Sequence, residues 1–304
     1  MKRWGQHPWL AVVTSLLLVG LLVGSVSGQQ PAYTREEAEA FNAMFRPAGE
    51  GKLAEAIRIA EEFLAKYPNS VLAPRAKQQL VFWYIQTNNL DKAFEIGADV
   101  LKADPNNFGV TYYLAVTAAE ASKGGNKKYD EQGLLYAQKA LDVVKGGSAP
   151  PGVDPARWEQ EKPKVLGLLY QGLGLFQHNK GEYEAAIESL TKAAELDPKD
   201  PVTPFLIAES YKLGQYKRLQ ESYDKLTAEE KVAEAGKKLL EEVDQVVDKM
   251  IEIYARVVAL SESDARFQAL GQVARATLEG FYKYRHNNTT DGLEDLIKKY
   301  KPTT

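Results

Sequence analysis

The side chains best placed to do chemistry are few. Beyond the N-terminal leader only two histidines occur, His178 and His286, far apart and without an HExxH or similar spacing that would set two ligands on one helix face. There is no cysteine, which excludes a disulfide framework, a thiolate metal site, a cysteine nucleophile and a cysteine-linked lipid anchor. No GxGxxG or GxxxxGK[ST] phosphate loop and no GxSxG elbow is present. Lys123-Gly124-Gly125-Asn126 holds two glycines but follows a helical pattern, not a strand. The carboxylate pairs Glu61-Glu62, Glu229-Glu230 and Glu241-Glu242 read as solvated helix faces rather than acid–base pairs. Tyr282-Lys283-Tyr284-Arg285-His286-Asn287-Asn288 interleaves aromatics with bases, a pattern that could stack on nucleic acid. A formal net charge of −3 argues against that partner, and a packed helix end with Asn287-Asn288 in a turn is expected instead. The sequons at Asn287–Thr289 and Asn288–Thr290 matter only where glycosylation machinery exists. The expectation is no catalytic residue, no cofactor, no metal and no nucleic acid: a protein that is not an enzyme.

The elements that would position any site are helices. With 44% hydrophobic and 26% charged residues the chain is that of a folded globular protein, and its wealth of Ala, Leu, Glu and Lys favours an all-α fold.

Residues 1–28 stand apart. Lys2 and Arg3 form a basic start, and Leu10 to Val26 is almost wholly apolar and uncharged. Ser25 to Gly28 are small or slim, as a signal-peptidase site needs, so cleavage is expected after Ser27 or Gly28. The alternative is an uncleaved anchor touching the membrane through residues 9–27, because the apolar stretch is close to the ~17–25 residues that span a bilayer. Either way the remainder is expected to be exported, periplasmic or extracellular.

Three segments of the rest align without gaps: Gly51 to Pro68, Asn88 to Pro105 and Gly181 to Pro198. Each opens on a turn residue, with Leu53, Leu90 or Tyr183 two positions on and Ala56, Ala93 or Ala186 three positions after that. Glycine or asparagine tolerates the left-handed backbone that ends a helix, and alanine lets two helix axes approach. Proline stops the second helix. A fourth unit begins at Tyr112, Tyr113 and Val116, is interrupted by the loop at 123–128, and resumes through Gly133, Ala137 and Ala140. A fifth starts at Asp200-Pro201, an N-cap with proline at the first helical position, and runs through Ile207, Ala208, Tyr211, Gly214 and Tyr216, one residue short of register.

This pattern resembles the tetratricopeptide-repeat (TPR) family, a helix–turn–helix of about 34 residues. The third copy matches best, with Leu173-Gly174 in its first helix and Gly181, Tyr183, Ala186, Ala193 and Pro198 at the family's positions. In the first copy Pro47 replaces an expected aromatic, so a short or kinked first helix is predicted there. The resemblance implies a TPR-like right-handed superhelical α-solenoid of antiparallel helix pairs over residues 36–226, with insertions near 123–130 and 145–158.

From Thr227 the repeat is lost. Residues 227–304 are expected to form a C-terminal helical cap: Thr227 and Glu230 make a capping box, and a long helix carries Val243, Val246, Val247, Met250, Ile251, Tyr254 and Val258. Further helices are predicted near 264–284 and 291–300. A solenoid must cover its last apolar face, although the same stripe would serve a homo-oligomer interface.

In TPR proteins the first helices of successive repeats line a concave groove. Carried over by position, that groove takes Gln78, Phe82 and Gln86, then Val110, Leu114 and Thr117, then Leu168, Gln171, Leu175 and His178, and last Phe205, Glu209 and Lys212. These are mostly amide or apolar, suited to a peptide or partner protein held in an extended or helical form. The implied function is an exported interaction scaffold. The alternatives are a structural homo-oligomer or an accessory subunit of an envelope enzyme complex.

Overall fold

The computed structural model describes residues 32–147, 149–150 and 153–301. The expected leader, residues 1–28, lies outside the described residues. Among the described residues there is no strand. No helix there is long and apolar enough to cross a membrane. The helices are α1 (Arg35–Ala43), α2 (Phe45–Gly49), α3 (Leu53–Lys66), α4 (Ala73–Gln86), α5 (Leu90–Ala103), α6 (Phe108–Lys123), α7 (Asp130–Lys145) and α8 (Pro155–Lys180). They continue as α9 (Tyr183–Leu196), α10 (Val202–Tyr211), α11 (Lys217–Asp224), α12 (Ala228–Val232), α13 (Glu234–Glu262), α14 (Gln268–Arg285) and α15 (Leu293–Lys299). The described residues form two compact units, 32–117 with 139–162 and 118–138 with 163–301.

In the first unit the repeat signals act as their residue types require. Gly51 and Asn88 hold φ of 76° and 57°. At each, the next N–H bonds back across the turn, Lys52 to the Pro47 carbonyl and Asn89 to the Tyr84 carbonyl, both at 2.8 Å. That bond, with the Gly51 and Asn88 N–H bonds at 3.0 Å, is the Schellman closure of a helix end. The second helices α3 and α5 each run 14 residues and stop just before Pro68 and Pro105. Ala56, Ala60, Ala76 and Ala93 are fully buried between helices. The first helix is broken, as Pro47 predicts: α1 ends at Ala43 and α2 restarts at Phe45. The rings of Phe41, Phe45, Phe63 and Trp83 meet edge to face there at 5.3–6.0 Å. Asp154 accepts from the Arg157 N–H at 2.8 Å and starts α8 at Pro155. Trp158 is wholly buried against Phe108.

The second unit repeats the closure at Gly181, whose φ is 83°, with Glu182 N–H on the Gln177 carbonyl at 2.9 Å. α9 again has 14 residues and ends before Pro198. One expectation is extended here and one is corrected. The interruption at 123–128 opens on a fourth turn of the same kind: Gly125 has φ 91°, and Asn126 N–H reaches the Ala121 carbonyl at 2.9 Å. Residues 127–129 merely delay the second helix, and Gly133 takes the small-residue position, where a Cβ would lie 2.4 Å from the Phe176 ring. At Gly214, by contrast, no turn forms. The helix continues through a π segment, Lys212–Tyr216, into α11. Gly214 serves close approach instead, since a Cβ there would sit 2.8 Å from the Tyr183 Cβ.

The C-terminal helices also lie in this unit. Thr227 and Glu230 form the reciprocal capping box. Every residue of the expected α13 stripe is buried, together with Ala208 of α10, Ala274 and Leu278 of α14, and Leu293 and Ile297 of α15. The stripe is therefore covered by its own chain.

Candidate functional site

The residues expected to line a groove fall into both units, and each set is described within its own. In the first unit, Gln78 of α4 donates to Asn107 Oδ1 at 3.3 Å, and Asn107 in turn caps α6 through the Val110 N–H. Phe82 is buried with its ring 4.4 Å from that of Tyr113. Leu114 is fully buried and lies directly against Gly97, where a Cβ would meet its Cδ1 at 2.5 Å. Leu114 is thus a packing residue, and so are the buried Val110 and Thr117. The missing side chain at Gly97 is what lets α5 approach α6 at Leu114. Gln86, at the end of α4, is exposed.

In the second unit the polar positions are joined to one another. Gln171 of α8 is buried with both ends of its amide used: Oε1 accepts from Lys123 at 2.6 Å, and Nε2 donates to Asp200 and Thr203 at 2.7 Å. Asp200 also accepts from the Thr203 N–H at 2.9 Å and so caps α10. Gln171 therefore ties α6, α8 and the start of α10 together, and Leu175 beside it is buried. Glu209 of α10 accepts from Lys212 at 2.8 and 2.9 Å and from the Tyr254 hydroxyl of α13 at 2.5 Å. Burial, reinforced by Glu209, raises the Tyr254 phenol well above its ordinary value, so it remains a donor throughout the physiological range. Lys212 is thereby held in an ion pair with Glu209.

His178 differs. Its ring is half-buried at the end of α8, set edge-on to Tyr183 at 5.6 Å, with Nδ1 2.8 Å from Ser210 Oγ. Burial holds its pKa below the ordinary imidazole value, opposed by the Glu209 carboxylate and aided by the Lys127 charge. The ring is neutral at neutral pH. Sequence reasoning placed His178 on this face and Asp200 as an N-cap, but missed Ser210 and Asn179 and gave Tyr254 only as a member of the long-helix stripe. Asn179 donates to Ser122 and Asp130 at 2.9 and 2.8 Å.

The aromatic–basic segment behaves as a helix end. The buried Tyr282 donates to the Asp291 carbonyl at 2.8 Å, and Arg285 engages Asp244 and Asp248 at 2.8 and 2.7 Å. Asn287 and Asn288 hold φ of 50° and 63° in the turn. Burial and Asp244 push the Tyr284 phenol up to about 12. A cavity of about 450 Å³ opens at the junction of α13 and α14, lined by Val258, Ser261, Gln272 and Arg275 among others. Arg275 on its wall is shared between Glu262 at 3.1 Å and Glu294 at 2.5 Å. Among the described residues no cluster of His, Asp and Glu is placed to hold a metal ion.

Residues 168–200 match the family model of the tetratricopeptide repeat. No curated protein matches the chain. Solved structures similar to it include MamA (41-end) from Desulfovibrio magneticus RS-1, at 16% identity and TM-score 0.43, covering 71% of this chain and 95% of that one. A tetratricopeptide repeat protein from Parabacteroides merdae has 15% identity and TM-score 0.42, covering 87% and 98%. PilW, described as a widely conserved type IV pilus biogenesis factor, has 14% identity and TM-score 0.39, covering 87% and 100%. Likeness at this level says nothing of partner or activity. The fold is all-α, built from TPR-like antiparallel helix pairs, and 168–200 is the segment that the family model identifies.

Proposed function

We propose that the chain is an exported, non-catalytic protein–protein interaction scaffold that holds a peptide or partner protein on the first-helix faces of its repeats. One observation carries this reading. The same turn, a positive-φ residue closed by a back-bonded N–H, recurs at Gly51 and Asn88 in the first unit and at Gly125 and Gly181 in the second, each time joining two helices as a repeat unit requires. Helix pairs built this way offer a peptide a row of side chains at regular spacing. Export rests on the basic start and the apolar run from Leu10 to Val26, as the secretory pathway requires. We read residues 227–304 as the cap, since the α13 stripe is spent inside the chain. That makes a homo-oligomer through this stripe the weaker reading.

Chemical cross-linking and affinity capture of the full-length chain from envelope extract, followed by mass spectrometry, tests the proposal. A partner cross-linked to α4 or α8 is expected. Capture through the C-terminal helices alone would overturn the assignment, and a concentration-dependent dimer in light scattering would favour the oligomer. N-terminal sequencing of the mature protein is expected to begin at Gly28 or Gln29. An intact Met1 would favour the anchor.

A further inference from the structure

The polar side chains on the first-helix face of the second unit are satisfied by one another, with one exception whose chemistry is set by its neighbour. Ser210 is fully buried, and its single proton is donated to the Leu206 carbonyl at 2.7 Å. The oxygen of Ser210 must then accept from His178, so Nδ1 of that ring carries the hydrogen across the 2.8 Å contact. A neutral imidazole has one N–H, which leaves Nε2 as a bare acceptor. Because Ser210 lies inside, the Nδ1 edge faces inward and the Nε2 edge faces away from it. Tyr183 braces the ring from α9. The other groups near the ring do not compete for Nε2. Glu209 is an acceptor already engaged by Lys212 and Tyr254, and Lys127 acts on the ring only through its charge.

We infer that His178 is a binding acceptor of this face: through Nε2 it takes an N–H donor from the partner, the amide N–H of a peptide backbone being the group that fits a neutral acceptor flanked by spent charges. This rests on the scaffold reading proposed above. The side chains around it already accept from the protein itself, Gln171 from Lys123 and Glu209 from Lys212 and Tyr254.

Two measurements separate the inference from the reading it rests on. Long-range ¹H–¹⁵N correlation spectra of the free full-length protein at pH 7 report which ring nitrogen is protonated. The Nδ1–H form is expected for His178, and the Nε2–H form would overturn the inference whatever the protein binds. Ser210→Ala is expected to release the ring to the Nε2–H form. Second, synthetic peptides selected against the full-length chain from a random display library are titrated into wild type and His178→Asn. Asparagine keeps a donor near Nδ1 for Ser210 and lacks the Nε2 acceptor. Affinity is expected to fall about five-fold, the effect of one net hydrogen bond. Equal affinity would refute the role of His178 and leave the scaffold reading standing. Selection of no binding peptide would refute both.

Discussion

Gly174→Ala sets two effects of known size against each other. Glycine within a helix costs about 1 kcal/mol relative to alanine, so the substitution should stabilise by that much if nothing else changed. At Gly174, however, a Cβ would lie 2.5 Å from Leu190 Cγ and 3.2 Å from the Ala186 carbonyl oxygen. The Cγ is the branch point of a fully buried side chain, and the oxygen belongs to backbone, so neither can swing aside. Overpacking of this kind costs about 1–3 kcal/mol. The sum is a loss of about 1 kcal/mol. Gly280→Ala in α14 is the control, because a Cβ there meets nothing within 4 Å, and it should gain about 1 kcal/mol. Urea unfolding followed by circular dichroism reads both. With a slope of about 1–3 kcal/mol per molar, the midpoints should move in opposite directions by about 0.3–1 M. If Gly174→Ala stabilises as much as Gly280→Ala, Leu190 yields freely, and the claim that this glycine sets the distance between α8 and α9 is wrong.

Tyr254→Phe removes the donor at 2.5 Å from Glu209 and should destabilise by about 1–2 kcal/mol in the same assay; no change would mean that Lys212 alone satisfies the carboxylate. Burial depresses the His178 pKa, so the unfolded chain takes the proton first as pH falls below about 6.5. Stability should therefore decline from there until the folded-state pKa is passed, and His178→Gln should flatten that part of a midpoint-against-pH curve. Gly125→Asn and Gly181→Asn should each cost under about 1 kcal/mol, since Asn88 already holds the same left-handed backbone. Gly133→Asn, pressed against Phe176 and Ala118, should cost several times as much, and equal effects would refute the distinction between turn and contact glycines.

Much of the repeat was legible because the signals at each turn agree. A residue able to hold positive φ, an apolar residue two positions on and alanine three further describe one helix end, one helix start and one close contact, all met at Gly51, Asn88 and Gly181. The α13 stripe was legible for a similar reason, as a long run at helical spacing admits one buried face. The binding face was less so. First-helix positions such as Leu114 and Leu175 face both the next helix and the space beside it, and spacing alone cannot say which claims them. Ser210, and the bond of the N-cap Asp200 to Gln171, were invisible because the partners stand 32 and 29 residues away.

Glycine shows why this boundary falls where it does. The residue does two unrelated things here. At Gly125 and Gly181 it permits a backbone hand that side chains resist, whereas at Gly97, Gly133, Gly174 and Gly214 it leaves room for a neighbouring helix. The first use is local, and the residues that follow betray it. The second depends on what another segment brings to that point: Leu114, Phe176, Leu190 or Tyr183. Reading Gly214 as a turn confused the two. Its follower Tyr216 suits a repeat, but Leu219 stands where alanine is needed for a second helix to fold back. With no small residue to receive it, the chain continues as one helix, and the five residues Lys212–Tyr216 take the wider π winding as it passes Tyr183. The apolar face of α10 at the end of the array, Ala208 with Phe205 and Tyr211, is what α13 covers.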